Sequence, residues 1–463
     1  MTKFSKAFWV ANGVELLERL AYYGVFIVIT LYLSNVWSFS DAEAGIIAGC
    51  FSATLYLLPT FFGAFADKIG FRSAIVIAFT LLTIGYGGLG LLPTFLESAG
   101  LVQYGSTTVF TGIETSASRW SIVPVLVLIV IGGAFIKAVI SGTVARETTT
   151  ATRARGYAIF YMMVNIGAFA GKTVVDPLRK SMGDMGLIYL NYFAASMTLL
   201  ALVVVIFFYK SSKNAGEGKS FKDLWKGLLR VMGNTRLLIL MLIISGFWMV
   251  QSQMYATMPK YVIRMIGDGA SPGWYANVNP LIVFLCVNFV TSLMKKRSAL
   301  ISMTIGMLII PVSAMIMALG NTFTEPILGL HPIAFMMIVG IGFQAIAECF
   351  ISPRYLEYFS LQSPKGEEGL YLGFSHLHSF FSFLFAFGIS GFLLDRYCPD
   401  PRKYEVNGVL DKVAYSAATA DAHYIWLVFV GIGLISAIAL LLYGYFTRKL
   451  DKLAKLETAS KGG

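Results

Sequence analysis

Charge is what this sequence has least of. Asp, Glu, Lys and Arg make up 13% of its 463 residues, against about 25% in soluble globular domains. An ordinary water-facing surface is therefore excluded. Cysteine is scarce too. Cys50, Cys286, Cys349 and Cys398 stand far apart with no C-x-x-C spacing, which supports neither a disulfide framework nor a metal site. Histidine occurs four times, and there is no H-E-x-x-H, no Gly-x-Ser-x-Gly and no phosphate-binding glycine loop. Catalysis has little to stand on, and we expect no enzyme.

What abounds is hydrocarbon. Hydrophobic residues make up 57% of the chain and the mean hydropathy is +0.71. Apolar runs of about 20 residues, the length that crosses roughly 30 Å of bilayer core, recur about twelve times. They lie near 9–34, 43–66, 72–93, 122–145, 156–178, 187–209, 236–262, 275–294, 298–319, 330–352, 368–394 and 422–447. This predicts an all-α membrane protein. The first run is too long and too polar for a cleaved signal peptide.

The formal charge of +11 could point to nucleic acid, so its distribution decides. With the N-terminus placed inside, roughly 24 of the 36 Lys and Arg residues fall in inner segments, as the positive-inside rule requires. Both termini are then cytoplasmic, and no nucleic-acid partner is expected. Arg19, Lys137 and Lys172 fall within spans. The longest inner connection, "YKSSKNAGEGKSFKDLWKGLLRVMGNTR" from Tyr209 to Arg236, is basic, with an amphipathic piece near Phe221 to Met232 suited to the membrane surface. Six spans stand on each side of it. We therefore expect an N-terminal six-helix bundle over 1–209, a linker over 210–235, and a C-terminal bundle with a short tail over 236–463, with a cavity between the bundles. The outer loops Pro93–Trp120 and Asp395–Ala420 are too short for folded domains.

The stretch "ELLERLAYYG" (Glu15 to Gly24) puts three charges inside the first span. Glu18 lies about twelve residues past Lys6, roughly 18 Å in at 1.5 Å per residue, too deep to snorkel. Glu15, Glu18, Arg19, Tyr22 and Tyr23 share one helix face. A charge at the centre of a span costs about 2.5–3.5 kcal/mol on insertion scales, so such groups face a wet cavity and mark a substrate or proton path; a purely structural ion pair is the plainer alternative. Lys137 and Glu348 are also too deep to snorkel. A deprotonated Lys137 stays open. Asn165 and Asn279 are weaker signals, since Asn in a span also joins helices. A cavity with Arg19 and Lys137 on one wall and Glu348 with Asn279 on the other suits a zwitterion. Tyrosines, Trp248 and Phe160 could line pockets of loose specificity.

These residues carry a resemblance. "ELLERLAYYG" resembles the E-x-x-E-R-F-x-Y-Y-G signature of the proton-dependent oligopeptide transporter (POT) family of the major facilitator superfamily, with Leu20 in place of Phe. "GAFADKIGFR", "FIKAVIS", "FYMMVNIGAF", "NPLIVF" and "ECFISPRYL" resemble further family segments, in order, over nearly the whole chain. The resemblance implies twelve helices in two bundles and proton-coupled symport of di- and tripeptides by alternating access. It implies that Lys137 and Arg19 receive the peptide carboxylate. Asn165, Asn279 and Glu348 would hold the amino end, and Glu15, Glu18 and Arg19 would couple protons.

There are departures. Ser252 stands where the family's helix 7 glutamate belongs, leaving Lys137 to pair with Glu15 or Glu18, to bind an anionic group, or to lose its proton. Ser375 replaces a frequent tryptophan, with His376 and His378 beside it as candidate titrating sites, a structural role being the alternative. The linker has no room for the two extra helices of many bacterial members. An inner gate is expected between Asp67, Lys68 and Arg72 and the helix 11 residues Glu367 and Glu368, with solvated loop charges as the plain alternative. The expected partners are a small solute and the lipid of a cell membrane, with the chain acting as a monomer and the proton in place of a cofactor. An amino acid, a modified peptide or an organic anion as cargo, with altered or absent coupling, is the alternative. A non-transporting membrane sensor is a more distant one.

Overall fold

The structure, a computed structural model, describes residues 4–102, 117–149, 152–210, 221–362 and 368–461. Ser5 caps the first helix by accepting from the Phe8 amide, which satisfies one of the free donors of the first turn. Helix α1 (Lys6–Phe26) then restarts after a 46° bend as α2 (Ile29–Asn35). In "SDAE" the Ser40 and Glu43 side chains bond reciprocally to each other's backbone and open α3 (Asp41–Leu57), a capping box. That cap fixes Asp41 in the first turn. Pro59 follows, a residue that cannot donate to the preceding turn, and the chain bends 49° into α4 (Pro59–Ile69). Helices α5 (Phe71–Ser98), α6 (Ile122–Arg146), α7 (Arg153–Met182) and α8 (Asp184–Phe208) complete the first half, and α9 (Phe221–Gly233) follows as the short amphipathic helix.

The seventh apolar run is broken into α10 (Thr235–Gln251), α11 (Gln253–Ala256) and α12 (Met258–Ile266), with Ser252 and Thr257 at the joints. Then come α13 (Pro272–Ala276), α14 (Val278–Met294), α15 (Ala299–Leu319) and α16 (Pro332–Gln362). Helix α17 (Glu368–Ser375) meets α18 (Leu377–Tyr397) at His376. After α19 (Lys412–Ala418) the chain ends in α20 (Tyr424–Lys461). Among the described residues, ten helices are long and apolar enough to cross a membrane, and up to twelve crossings result when each bent pair is one span. The expected loop at 395–420 holds more order than its length implied: β1 (Glu405–Val406) and β2 (Val409–Leu410) form a hairpin. Asn407 and Gly408 at its tip both have positive φ, the Asn-Gly turn chemistry of tight hairpins.

Helices α1, α4, α5, α6, α7 and α8 pack on one another, and so do α10, α14, α15, α16, α18 and α20. The two groups meet where α3 crosses α18 and where α7 crosses α13 and α14. The first crossing is backbone-close, because a Cβ on Gly45 or Gly391 would collide with carbonyls of the opposite helix. The α1–α7 crossing is similar: a Cβ on Gly167 would fall 2.7 Å from the Leu16 carbonyl and from Arg19 Cβ. Lipid supplies no hydrophobic drive between helices, so small residues that permit such approach carry the packing. That glycine contact presses the charged face of α1 into the interior.

Candidate functional site

A cavity of about 180 Å³ lies between the two groups of helices. From the first half, α1 brings Tyr22, Tyr23 and Phe26, and α3 brings Tyr56. From the second half come Trp248 and Gln251 of α10, Ser252, Met254 and Tyr255, Asn279 of α14, Glu348 of α16 and Phe383 of α18. Glu348 is the acidic member. Gln251 Nε2 donates to its Oε2 at 2.8 Å and Asn279 Nδ2 donates to the same oxygen at 3.1 Å. Two neutral amides hold the carboxylate without cancelling its charge.

The cations stand behind the tyrosines. Arg19 Nε lies 2.9 Å from Glu15 Oε1 and 2.6 Å from Glu18 Oε2. Neither contact has the alignment of a hydrogen bond, and Nε and Glu18 Oε2 are without one among the described residues. All three side chains are buried. The Arg19 guanidinium sits 5.5 Å from the Tyr22 ring centroid. The Lys137 ammonium is 3.8 Å over the Tyr56 ring and donates to the Leu55 carbonyl at 3.3 Å. Lys172 Nζ lies 5.3 Å from the Tyr23 ring and 5.4 Å from that of Tyr255. Each cation thus rests against the π-face of a residue that lines the cavity, a contact worth about 2 kcal/mol or more once desolvated. The chamber is positive behind its tyrosine wall and negative at Glu348.

At the end opposite the start of α1, a second charge cluster joins the two halves. Asp41 accepts from Lys260 Nζ at 2.5 Å and from Arg264 Nη1 at 2.6 Å. Lys260 also donates to Ser34 Oγ at 2.6 Å, and Arg264 to the Cys398 carbonyl at 2.7 Å. Asp41 and Lys260 are almost completely buried. Alongside, Arg179 of α7 donates to the carbonyls of Asp268 and Ala270, and the Trp274 amide donates to Asp176 at 3.0 Å.

Comparison with known proteins places this architecture. A sequence model described as Major Facilitator Superfamily matches residues 13–330. The chain belongs to the Major Facilitator Superfamily. This superfamily chain is 28% identical over 271 residues to dipeptide and tripeptide permease A of Salmonella typhi, a match covering 57% of the chain and 47% of that protein. It thus spans about half the length of that curated relative. Against the Escherichia coli (strain K12) dipeptide and tripeptide permease A, identity is 22% over 437 residues, with 80% and 81% covered. Among solved structures it is similar to the POT family transporter PepTSo, at a TM-score of 0.70 and 16% identity, covering 97% of this chain and 99% of that one. A POT family transporter in complex with a thioalcohol-conjugated peptide gives a TM-score of 0.69 at 18% identity, covering 96% of each chain. At such identities these structures establish the fold.

Within the superfamily fold, the candidate residues Tyr22, Tyr23, Trp248, Ser252, Asn279 and Glu348 line the cavity, while Arg19 and Lys137 stand behind it. Of the three courses left open to Lys137, pairing with Glu15 or Glu18 is not formed: among the described residues no carboxylate comes within ion-pair distance, and Tyr56 and a carbonyl take the ammonium. Asn165 does not line the cavity; its amide donates to the Tyr161 carbonyl one turn back, at 2.8 Å. The histidines divide. His378 is buried with Nδ1 at 2.7 Å from the Ser375 carbonyl and Nε2 at 3.1 Å from Ser379 Oγ, so both nitrogens are engaged. His376 is exposed at the break between α17 and α18. Of the gate residues, Asp67 pairs with Arg146 of its own half at 2.6 Å, and Arg72 donates to the Ile206 carbonyl at 3.0 Å. Glu367 lies outside the described residues, within 363–367, and Glu368 opens α17; Lys68 is exposed in the last turn of α4.

Gln251, Tyr56, Tyr255 and Lys172 are site residues that motif matching passed over. For Lys172 a signal existed: it is an in-span lysine as deep as Lys137. Gln251 gave none, because a glutamine one position before Ser252 becomes notable only when Glu348 is seen against it.

Proposed function

We propose that this multi-pass membrane protein is a proton-coupled symporter of di- and tripeptides that works by alternating access. The observation that carries the reading is the cavity's polarity: Glu348, presented by two amides, faces a wall of tyrosines backed by Arg19 and Lys137. A short peptide is a zwitterion whose ends are separated by a few ångströms, and it meets opposite charge at both. The names of the permeases and POT structures above support the same cargo. We place both termini in the cytoplasm of a cell-membrane protein, on the inner excess of Lys and Arg, and assign 1–209 and 236–463 as bundles that rock about the cavity, joined by 210–235.

In this reading Glu15 and Glu18 exchange the coupling proton. Two carboxylates share one guanidinium, so the cluster already carries an excess negative charge that a proton relieves. Protonation loosens the grip on Arg19 and leaves it to meet a peptide carboxylate, by way of Tyr22. Asp41, Lys260 and Arg264 form the outer gate; on the inner side, Asp67, Lys68 and Arg72 are released by exchange of partners with the start of α17. No cofactor beyond the proton is required, and the monomer contains the whole cavity. The test is uptake of labelled dialanine into proteoliposomes under an inward proton gradient, with and without a protonophore. Accumulation that collapses with the protonophore is the expected result. Absence of uptake by folded protein would overturn the peptide assignment.

A further inference from the structure

Lys172 is unassigned by the family signature, and its surroundings ask for an explanation. It is 1% exposed, in the middle of α7. Its hydrogen bond, to the Ala276 carbonyl of α13, is long at 3.4 Å. Among the described residues no carboxylate lies within 4.0 Å of its ammonium, although Asp176 is one turn away and is used by the Trp274 amide. An in-span ammonium whose contacts are a carbonyl and two ring faces, with Glu348 across the cavity wall acting on it only at longer range, is expensive, and such residues mark function. Tyr23 and Tyr255, the rings it rests on, both line the cavity. Lys172 therefore relates to the chamber just as Arg19 relates to it through Tyr22, and Lys137 through Tyr56.

The charge balance indicates what this third cation is for. Around the chamber stand Arg19, Lys137 and Lys172 against Glu15, Glu18 and Glu348. With all six ionised the sum is zero. A symported proton neutralises one carboxylate and leaves the occluded chamber one positive charge in excess. A zwitterionic peptide does not relieve that excess; a peptide with one further carboxylate does.

We infer that Lys172 is a specificity-determining cation, and that the carrier prefers peptides with an acidic side chain, whose extra carboxylate is drawn to the Tyr23–Tyr255 wall. This rests on the peptide-symport reading. The recognition is the Coulombic attraction of a buried ammonium for a carboxylate on the cavity side of those rings, worth about tenfold in affinity at roughly 10 Å and an effective dielectric near 20.

The test is competition in proteoliposomes. Labelled dialanine is taken up under a proton gradient while unlabelled Ala-Glu, Ala-Gln or Ala-Lys competes, in wild type, Lys172→Gln and Lys172→Arg. The ratio of half-inhibiting concentrations within one variant is independent of how much protein folds. We expect Ala-Glu to compete about tenfold better than its near-isostere Ala-Gln in wild type. That preference should vanish in Lys172→Gln and persist in Lys172→Arg. A structural strut between α7 and α13 would change uptake rate or melting temperature but not this ratio. Dialanine uptake without preference for Ala-Glu, or a preference untouched by Lys172→Gln, overturns the inference and leaves peptide symport standing. No uptake of any peptide by folded wild type overturns both.

Discussion

Glu348 receives two amide protons on one oxygen, from Gln251 and Asn279, and in the proposed function its carboxylate meets the amino end of the peptide. Replacing it with Gln keeps the shape and removes the charge. We expect Glu348→Gln to weaken a dipeptide with a free amino group by about tenfold or more, as loss of a charge-assisted bond should, and to leave an N-acetylated dipeptide almost unaffected. Binding isotherms for the two ligands check this; equal losses would mean that Glu348 does not meet the amino end. Glu18 makes the second residue-scale prediction. Its carboxylate shares Arg19 with Glu15 at 2.6 Å and 2.9 Å. Glu18→Gln should retain exchange of labelled for unlabelled peptide while losing accumulation driven by a pH gradient. Retained accumulation would move the coupling proton to another group.

Among the elements, the start of α3 and the end of α12 tie the two halves together, and in the proposed cycle they form the outer gate. Asp41 holds both Lys260 and Arg264 in a buried cluster. Removing Asp41 leaves Lys260 without an ion pair among the described residues and Arg264 with Asp400 alone, at 3.8 Å; breaking a buried pair in this way costs about 3–5 kcal/mol. Asp41→Asn should therefore open the outer side. Cys398 is a native reporter: its side chain is buried and its carbonyl accepts from Arg264. A membrane-impermeant thiol reagent should label Cys398 faster in Asp41→Asn than in wild type, read by mass spectrometry of the labelled peptide. Unchanged labelling would deny the cluster a gating role. The crossings make a separate statement. Gly171 meets the Leu20 carbonyl of α1 so closely that any Cβ must displace backbone. Gly171→Leu should lower thermal stability by about 1–3 kcal/mol through overpacking, and the displaced α1 should weaken dipeptide binding with it.

The molecule as a whole carries its charges in two kinds of place. Those at the Asp67–Arg146 pair are partly exposed, with side chains 30% and 23% accessible, and such pairs add at most about 1 kcal/mol to stability. Asp67→Asn should then leave the melting temperature nearly unchanged. If the pair exchanges partners as the inner side closes, the same variant shifts the inward–outward population, read from cysteines placed on the two gates. The cavity and the outer cluster behave otherwise, because their charges are out of water and each change is felt by the opposite half.

Much of this was legible in the chain itself. Run length against bilayer thickness fixed the spans, since each backbone polar group must be satisfied within its own helix in hydrocarbon. Depth along a span marked Glu18, Lys137 and Glu348, since a charge that cannot reach water must find a cavity. Local chemistry at Ser40 and Glu43 made the cap that places Asp41. What the tertiary structure decided is which charges meet. Asp41 and Lys260 are 219 positions apart, and Gln251 and Glu348 are 97 apart; no helical period relates them. Lys137 turned to Tyr56 rather than to Glu15, and Lys172 came to rest behind Tyr23 and Tyr255, because glycine crossings set how α1, α3 and α7 approach. A sequence states the depth of a buried charge. Its partner depends on the rotation and distance of neighbouring helices, which packing alone determines.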